Sequence, residues 1–229
     1  MRQVKIIGLG GIGSWLAKAV APILYYGERQ PTLLSLIDGD KYEPKNHNRQ
    51  AFKLSDSMSY KAEAQHAELA EFESPKLFIQ AHNEFINHDN VSDYVCCDDI
   101  VLLCVDNHAT RKTVSDHCAT LRNVTLISGG NDYDDGNVQV YVRKNGRNKT
   151  ANLTTYHPEI ANPTDRPPDE VGCEQAIAQG ETQTLTANFM CASIMLCLLQ
   201  GALKDELPKI CEVYFTTIKP TVSSVARKS

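Results

Sequence analysis

Val4-Lys5-Ile6-Ile7-Gly8-Leu9-Gly10-Gly11-Ile12-Gly13-Ser14-Trp15-Leu16-Ala17 carries the reading of the fold. Val4 to Ile7 is a short apolar run rich in branched residues, which suits a buried strand. Gly8 to Gly13 then turns the chain. From Ser14 to Tyr26 the residues Trp15, Leu16, Ala19, Val20 and Ile23 recur at helical spacing. A strand followed by a glycine turn and a helix lets backbone N–H groups approach a phosphate at the positive end of the helix. The pattern alone fits NAD and ATP equally well, and also fits a tight turn with no ligand.

Outward from this unit, strands and helices alternate. Leu33 to Ile37 reads as a second buried strand, closed by Asp38-Gly39-Asp40, and a polar segment follows through Gln50. Ser57 to Phe72 reads as an exposed helix and Leu77 to Ala81 as a weak strand. Ile100 to Val105 is a continuous apolar run of the kind a central parallel strand carries. His108 to Leu121 is expected as a helix, Val124 to Ser128 as a strand, and Val138 to Val142 as an antiparallel strand. Asn145 to Gln183 has little periodicity and contains Pro158, Pro163, Pro167 and Pro168, so a crossover or lid is expected over 145–183. Leu185 to Leu203 is expected as a helix and Ile210 to Ile218 as the final strand. The order predicts an α/β, Rossmann-like, mostly parallel sheet with helices on both faces and late antiparallel strands. One domain over 1–229 is expected, with a nucleotide-binding core over 1–128. Ligands of such sheets bind beyond the carboxyl ends of the strands, where the glycine turn, Asp38 and Asp106 all fall.

Composition narrows the function classes. The 229 residues carry a formal net charge of −5, which gives no electrostatic reason to expect nucleic acid. Met1 to Gly8 shows no secretory signal, and the apolar stretch Ala187 to Leu203 is interrupted by Asn188, Ser193 and Gln200. No membrane partner and a cytoplasmic location are therefore expected. The eight cysteines include no C-x-x-C pair, so no structural zinc is expected.

The segment Asp38-Gly39-Asp40-Lys41-Tyr42-Glu43-Pro44-Lys45-Asn46-His47-Asn48-Arg49-Gln50 separates the two nucleotides. An acid at the end of the second strand suits ribose hydroxyls in either case. The donors Asn46, Arg49 and Gln50 behind it suit a triphosphate attacked at its α-phosphorus, where a planar guanidinium can clamp phosphate oxygens. The spacing Asp-x-Asp, five residues, then Asn-x-x-Arg-Gln resembles the signature of the ThiF, MoeB and E1-like adenylating enzymes, where it follows a similar glycine turn. Lys61 in Ser59-Tyr60-Lys61-Ala62-Glu63 resembles that family's phosphate-contacting lysine. Cys104-Val105-Asp106-Asn107-His108-Ala109-Thr110-Arg111 resembles its C-x-D-N-x-x-x-R segment.

The resemblance spans roughly Val4 to Ser128 and implies roles residue by residue. Gly8, Gly10, Gly11 and Gly13 would cradle the nucleotide, and Asp38 would hold the ribose. Asn46, Arg49, Gln50 and Lys61 would bind the phosphates. Asp106 would hold Mg2+, with a helix N-cap as the plainer alternative, and Asn107 would line the adenine side. The implied activity is ATP-dependent adenylation of the C-terminal carboxylate of a small ubiquitin-like or sulfur-carrier protein ending in Gly. A degenerate nucleotide-binding module and a NAD-dependent oxidoreductase are the alternatives. Cys173, in Gly172-Cys173-Glu174-Gln175, resembles a family cysteine placed to receive the acyl group. Members also carry two C-x-x-C pairs and an N-terminal helix whose arginine reaches the nucleotide, often across a homodimer. Neither feature has a counterpart here, so that arm is expected to be missing.

Overall fold

The computed structural model describes residues 1–27, 30–166, 183–207 and 210–227. Nine strands form one mixed sheet, in the order β3-β2-β1-β4-β5-β6-β8-β9 with β7 paired to β6. The parallel half consists of β1 (Arg2–Ile7), β2 (Thr32–Ile37), β3 (Leu77–His82), β4 (Ile100–Leu103) and the start of β5 (Val124–Asn131). β6 (Asp135–Lys144), β7 (Arg147–Asn148), β8 (Glu212–Thr216) and β9 (Thr221–Val225) extend it antiparallel. The helices are α1 (Gly11–Gly27), α2 (Lys61–Leu69), the short α3 (Val91–Tyr94), α4 (His108–Cys118), the short α5 (Pro158–Ala161) and α6 (Leu185–Leu203). The architecture is the α/β sheet with antiparallel late strands that the alternation of elements implied.

The central strands are apolar on both faces because helices cover both. Ile6, Leu34, Leu102 and Ile127 join α1 and α6 in one core. Ile7, Val101, Leu103 and Leu126 join Val114 of α4, Leu153 and Ile160 in the other. By length and composition α6 passes as a membrane span, yet Ala187, Cys191, Met195 and Leu199 are buried in the first core. Burying such side chains contributes about 1.5–3 kcal/mol each for the larger ones.

Several boundaries differ from the sequence reading, for local reasons. α2 starts at Lys61 rather than at Ser57, because Leu54–Asp56 forms a separate 3-10 turn and Tyr60 is extended, with ψ 135°. The strand around Val138 to Val142 runs on to Asp135 and Lys144. The strand near Ile210 to Ile218 is not the last, since β9 follows it. β9 is an exposed edge strand with Thr, Ser and Val and carries no apolar alternation to announce it. Residues 145–166 contain β7 and α5 and bury Thr150, Leu153 and Ile160.

Candidate functional site

β1 lies between β2 and β4, so the strand order reverses beside it, and the carboxyl ends of these strands open into a cleft of about 1720 Å³. The glycine turn forms its floor, and each glycine answers to a different neighbour. Gly8 has φ +89°, and a Cβ there would lie 2.9 Å from the Cys104 carbonyl carbon. A Cβ on Gly13 would lie 1.9 Å from the Gly8 carbonyl oxygen, so Gly13 packs α1 onto β1 beneath the cleft. One on Gly11 would strike the Asn188 side chain at 2.4 Å. Gly10 meets nothing closer than Gln50 Nε2 at 3.9 Å. Gly10 is thus the position where the missing side chain leaves space for a ligand.

Asp38 ends β2 and is buried. Its carboxylate accepts from Leu9 N at 2.6 Å and from Asp40 N at 2.8 Å, so it braces the glycine turn from the side. Burial lifts its pKa above the ordinary carboxylate range, against the opposing pull of Lys61 and of those N–H groups. Lys61 is 7% exposed at the start of α2, and its ammonium donates to Asp40 Oδ2 at 2.6 Å. Burial alone would lower the Lys61 pKa, but Asp38 and Asp40 outweigh it and raise the net value. The result is a desolvated, firmly charged cation at the mouth of the glycine turn.

The polar segment after β2 forms the opposite lip. Asn46 Oδ1 accepts from Glu43 N at 3.1 Å, closing a capping box around the 3-10 turn Pro44–Asn48. The Arg49 carbonyl accepts from Trp15 Nε1 at 3.1 Å and from Asn188 Nδ2 at 3.5 Å, which fixes this residue's backbone to α1 and α6. Its guanidinium donates to Asn48 Oδ1 at 3.1 Å, and no described carboxylate pairs with it. Gln50 is buried, and its Oε1 has no hydrogen-bond partner. Arg49, Gln50, Lys61 and Gly10 all line the cleft.

The third wall is the link from β4 to α4. Asp106 is exposed in the cleft. It is not the helix cap: Asn107 takes that place, its Oδ1 accepting from Thr110 N at 2.7 Å. Asn107 Nδ2 is buried without a partner. The first turn of α4 has a second cap that the sequence did not disclose. Asp165 accepts from His108 N at 2.6 Å and Ala109 N at 2.9 Å. His157 lies between Glu159 (2.8 Å) and Glu212 (2.5 Å), which ties residues 156–161 to β8. Neither contact has a sequence signature, because its partners lie about 55 residues apart.

The donor set fits a nucleotide triphosphate. Gly10 is open, the Asn107 Nδ2 donor is buried and unpaired, and Arg49 and Lys61 are among the cations that line the cleft. Mg2+ is usually held by one or two carboxylates together with substrate phosphates, and Asp106 suits that arrangement. Among the described residues no group of three His, Cys, Asp or Glu could hold a metal by itself. The expected acyl-accepting Cys173 lies outside the described residues.

The sequence profile described as the ThiF family matches residues 2–226. The adenylyltransferase and sulfurtransferase MOCS3 of Drosophila willistoni is 36% identical over 142 residues, covering 61% of this chain and 29% of that protein. MOCS3 of Drosophila ananassae is 33% identical over 145 residues, covering 63% and 30%. The chain therefore spans under a third of the length of these relatives. Among solved structures, the microcin C7 biosynthetic enzyme MccB with N-formylated MccA superimposes at a TM-score of 0.75 with 18% identity, covering 98% of this chain and 64% of that one. Escherichia coli MccB with ATP gives 0.71 at 19% identity, covering 98% and 63%. PaaA gives 0.69 at 16% identity, covering 99% and 64%. At such identity these likenesses establish the fold.

Proposed function

We propose a function from one premise, that the chain belongs to the ThiF family: it activates a carboxylate by adenylation with ATP. The proposed substrate is the C-terminal carboxylate of a small ubiquitin-like or sulfur-carrier protein ending in Gly. The single observation that carries the reading is the grouping of open Gly10, Arg49, Gln50 and buried Lys61 around one strand-end cleft. A dinucleotide would use Gly10 and Asp38 but would leave these phosphate-directed donors idle.

The chemistry asks little of acid–base groups, because a carboxylate is already a nucleophile. One carboxylate oxygen attacks the α-phosphorus of ATP. The new P–O bond forms as the bond to the β-phosphate oxygen breaks, pyrophosphate leaves, and an acyl-adenylate remains. In this reading the turn at Gly10 receives the phosphates, Lys61 neutralises their charge, and Arg49 meets the charge that grows at the α-phosphate. Asp38 orients the ribose while holding Leu9 N in place. Mg2+, held at Asp106, would supply further charge neutralisation on the phosphates.

Pyrophosphate exchange into ATP tests the proposal, using the full chain and a small carrier protein ending in Gly-Gly. Exchange that needs the free carboxylate and stops when the carrier ends in an amide is the expected result. ATP binding without exchange for any such carrier would instead make the chain a docking module.

A further inference from the structure

We infer that Arg111 is a positioning residue whose guanidinium aims the Asp106 carboxylate into the cleft. The inference rests on the reading of Asp106 as the residue that holds Mg2+ against ATP.

The parallel ladder between β4 and β5 ends at Leu103↔Ser128. Beyond it β4 has ended while β5 runs on against β6, at the point where the cleft opens. Arg111 reaches back from the second turn of α4 to this point. Its Nε and Nη2 both donate to the Val105 carbonyl, at 3.1 and 2.8 Å. Nη2 also donates to the Gly129 carbonyl at 3.0 Å. The fork therefore grips the peptide bond that joins Val105 to Asp106 and ties it to β5.

Three further observations make this more than a buried stitch. Asp106 has no hydrogen bond or ion pair of its own among the described residues, so its direction depends on its backbone. On one side that backbone is held by Arg111, on the other by the Asn107 cap. Arg111 is 7% exposed, yet no described carboxylate forms an ion pair with it. Burial pulls its pKa down, while the nearby charges of Asp106 and Asp165 act to hold the cation in place. A desolvated cation held by neutral carbonyls alone, with no carboxylate in contact, is costly and calls for a reason. Gly130 makes room for it, since a Cβ there would come within 2.5 Å of the Nη1 and Nη2 atoms. The spacing of five residues between Asp106 and Arg111 has a geometric meaning here. It places the guanidinium one turn inside α4, within reach of the carbonyl that precedes the acid.

Lysine cannot replace this arginine, because an ammonium is a point donor and cannot span two carbonyls as a planar fork. Arg111→Lys should spare ATP affinity in EDTA but reduce the gain in ATP affinity that Mg2+ brings by about tenfold, the scale of coupling between residues in one network. Asp106→Asn should remove the gain. In that background Arg111→Lys should change ATP affinity no further. Titration calorimetry with ATP, in Mg2+ and in EDTA, reads all four proteins, and thermal melting confirms each is folded. Should Arg111→Lys fail to fold, Gly130→Ala displaces the same guanidinium without removing it and should lower the Mg2+ gain likewise. A folded Arg111→Lys or Gly130→Ala protein with the wild-type Mg2+ gain overturns the inference, as does an equal loss in Mg2+ and EDTA. A wild-type chain that binds ATP with no Mg2+ gain overturns the Asp106 role and this inference with it. A chain that binds no ATP overturns the adenylation reading itself.

Discussion

Gly10 and Gly13 sit three residues apart in one turn, and a methyl group distinguishes them. At Gly13 it would overlap the Gly8 carbonyl oxygen at 1.9 Å, a backbone atom that cannot step aside. Gly13→Ala is expected to lower stability by about 1–3 kcal/mol or more, read by denaturant unfolding. At Gly10 the same methyl meets open space, so Gly10→Ala should melt close to wild type while losing most of its stabilisation by ATP and Mg2+. Equal melting shifts for the two variants would contradict this division of labour. Arg49→Ala should reduce pyrophosphate exchange roughly 100-fold or more with a far smaller effect on ATP affinity, since in the proposed reaction its donor would meet charge that develops during attack. For Cys173, a thioester with the carrier should vanish in Cys173→Ser while exchange continues. A serine variant that still forms the final product at the normal rate would make Cys173 structural.

Element ends, rather than element interiors, build this site, and they differ in how far the sequence discloses them. The β1 turn, β2 with Asp38 and the apolar β4 were legible because burial and glycine placement are written into contiguous residues. Arg49 stood out as a donor in the polar segment behind Asp38, Lys61 and Asp106 through motifs that resemble those of the family, and all three line the cleft. The caps were not. Asp165 reaches α4 from 57 residues away and has no motif. Its loss exposes two orphan N–H groups, so Asp165→Ala should cost about 1 kcal/mol in unfolding free energy, whereas exposed Asp89→Ala should cost little. β9 was also hidden, because an exposed edge strand lacks the alternation that marks a half-buried one. At β8, burial alone would lift the Glu212 pKa. Hydrogen bonds from Tyr214, His157 and Arg227 outweigh it and set the value below the ordinary 4.5. A depressed folded pKa stabilises above the unfolded value and is lost as pH falls through the folded one. Glu212→Gln should therefore lower stability at neutral pH and flatten its decline below about pH 4.5, as followed by denaturant midpoints across that range. A variant with the wild-type acid limb would remove Glu212 from the account.

At the scale of the whole molecule, a parallel half and an antiparallel half share one sheet, and the cleft lies where the strand order reverses. The parallel half supplies the glycine turn, Asp38 and Asp106. The segment after β2 and the start of α2 supply the cations Arg49 and Lys61. Residues 156–165 reach the same cleft and pin its rim through Asp165 and His157. In the proposed reading Arg49, Lys61 and the open backbone at Gly10 would meet the triphosphate, beside the acids Asp38, Asp40 and Asp106 of the same cleft, within a chain whose formal charge is −5. The choice of nucleotide is thus the claim on which the rest depends. Calorimetric titration of the full chain with ATP and Mg2+, and separately with NAD, measures it. The account predicts saturable binding of ATP with Mg2+ and none of NAD; binding of NAD with no response to ATP would contradict it.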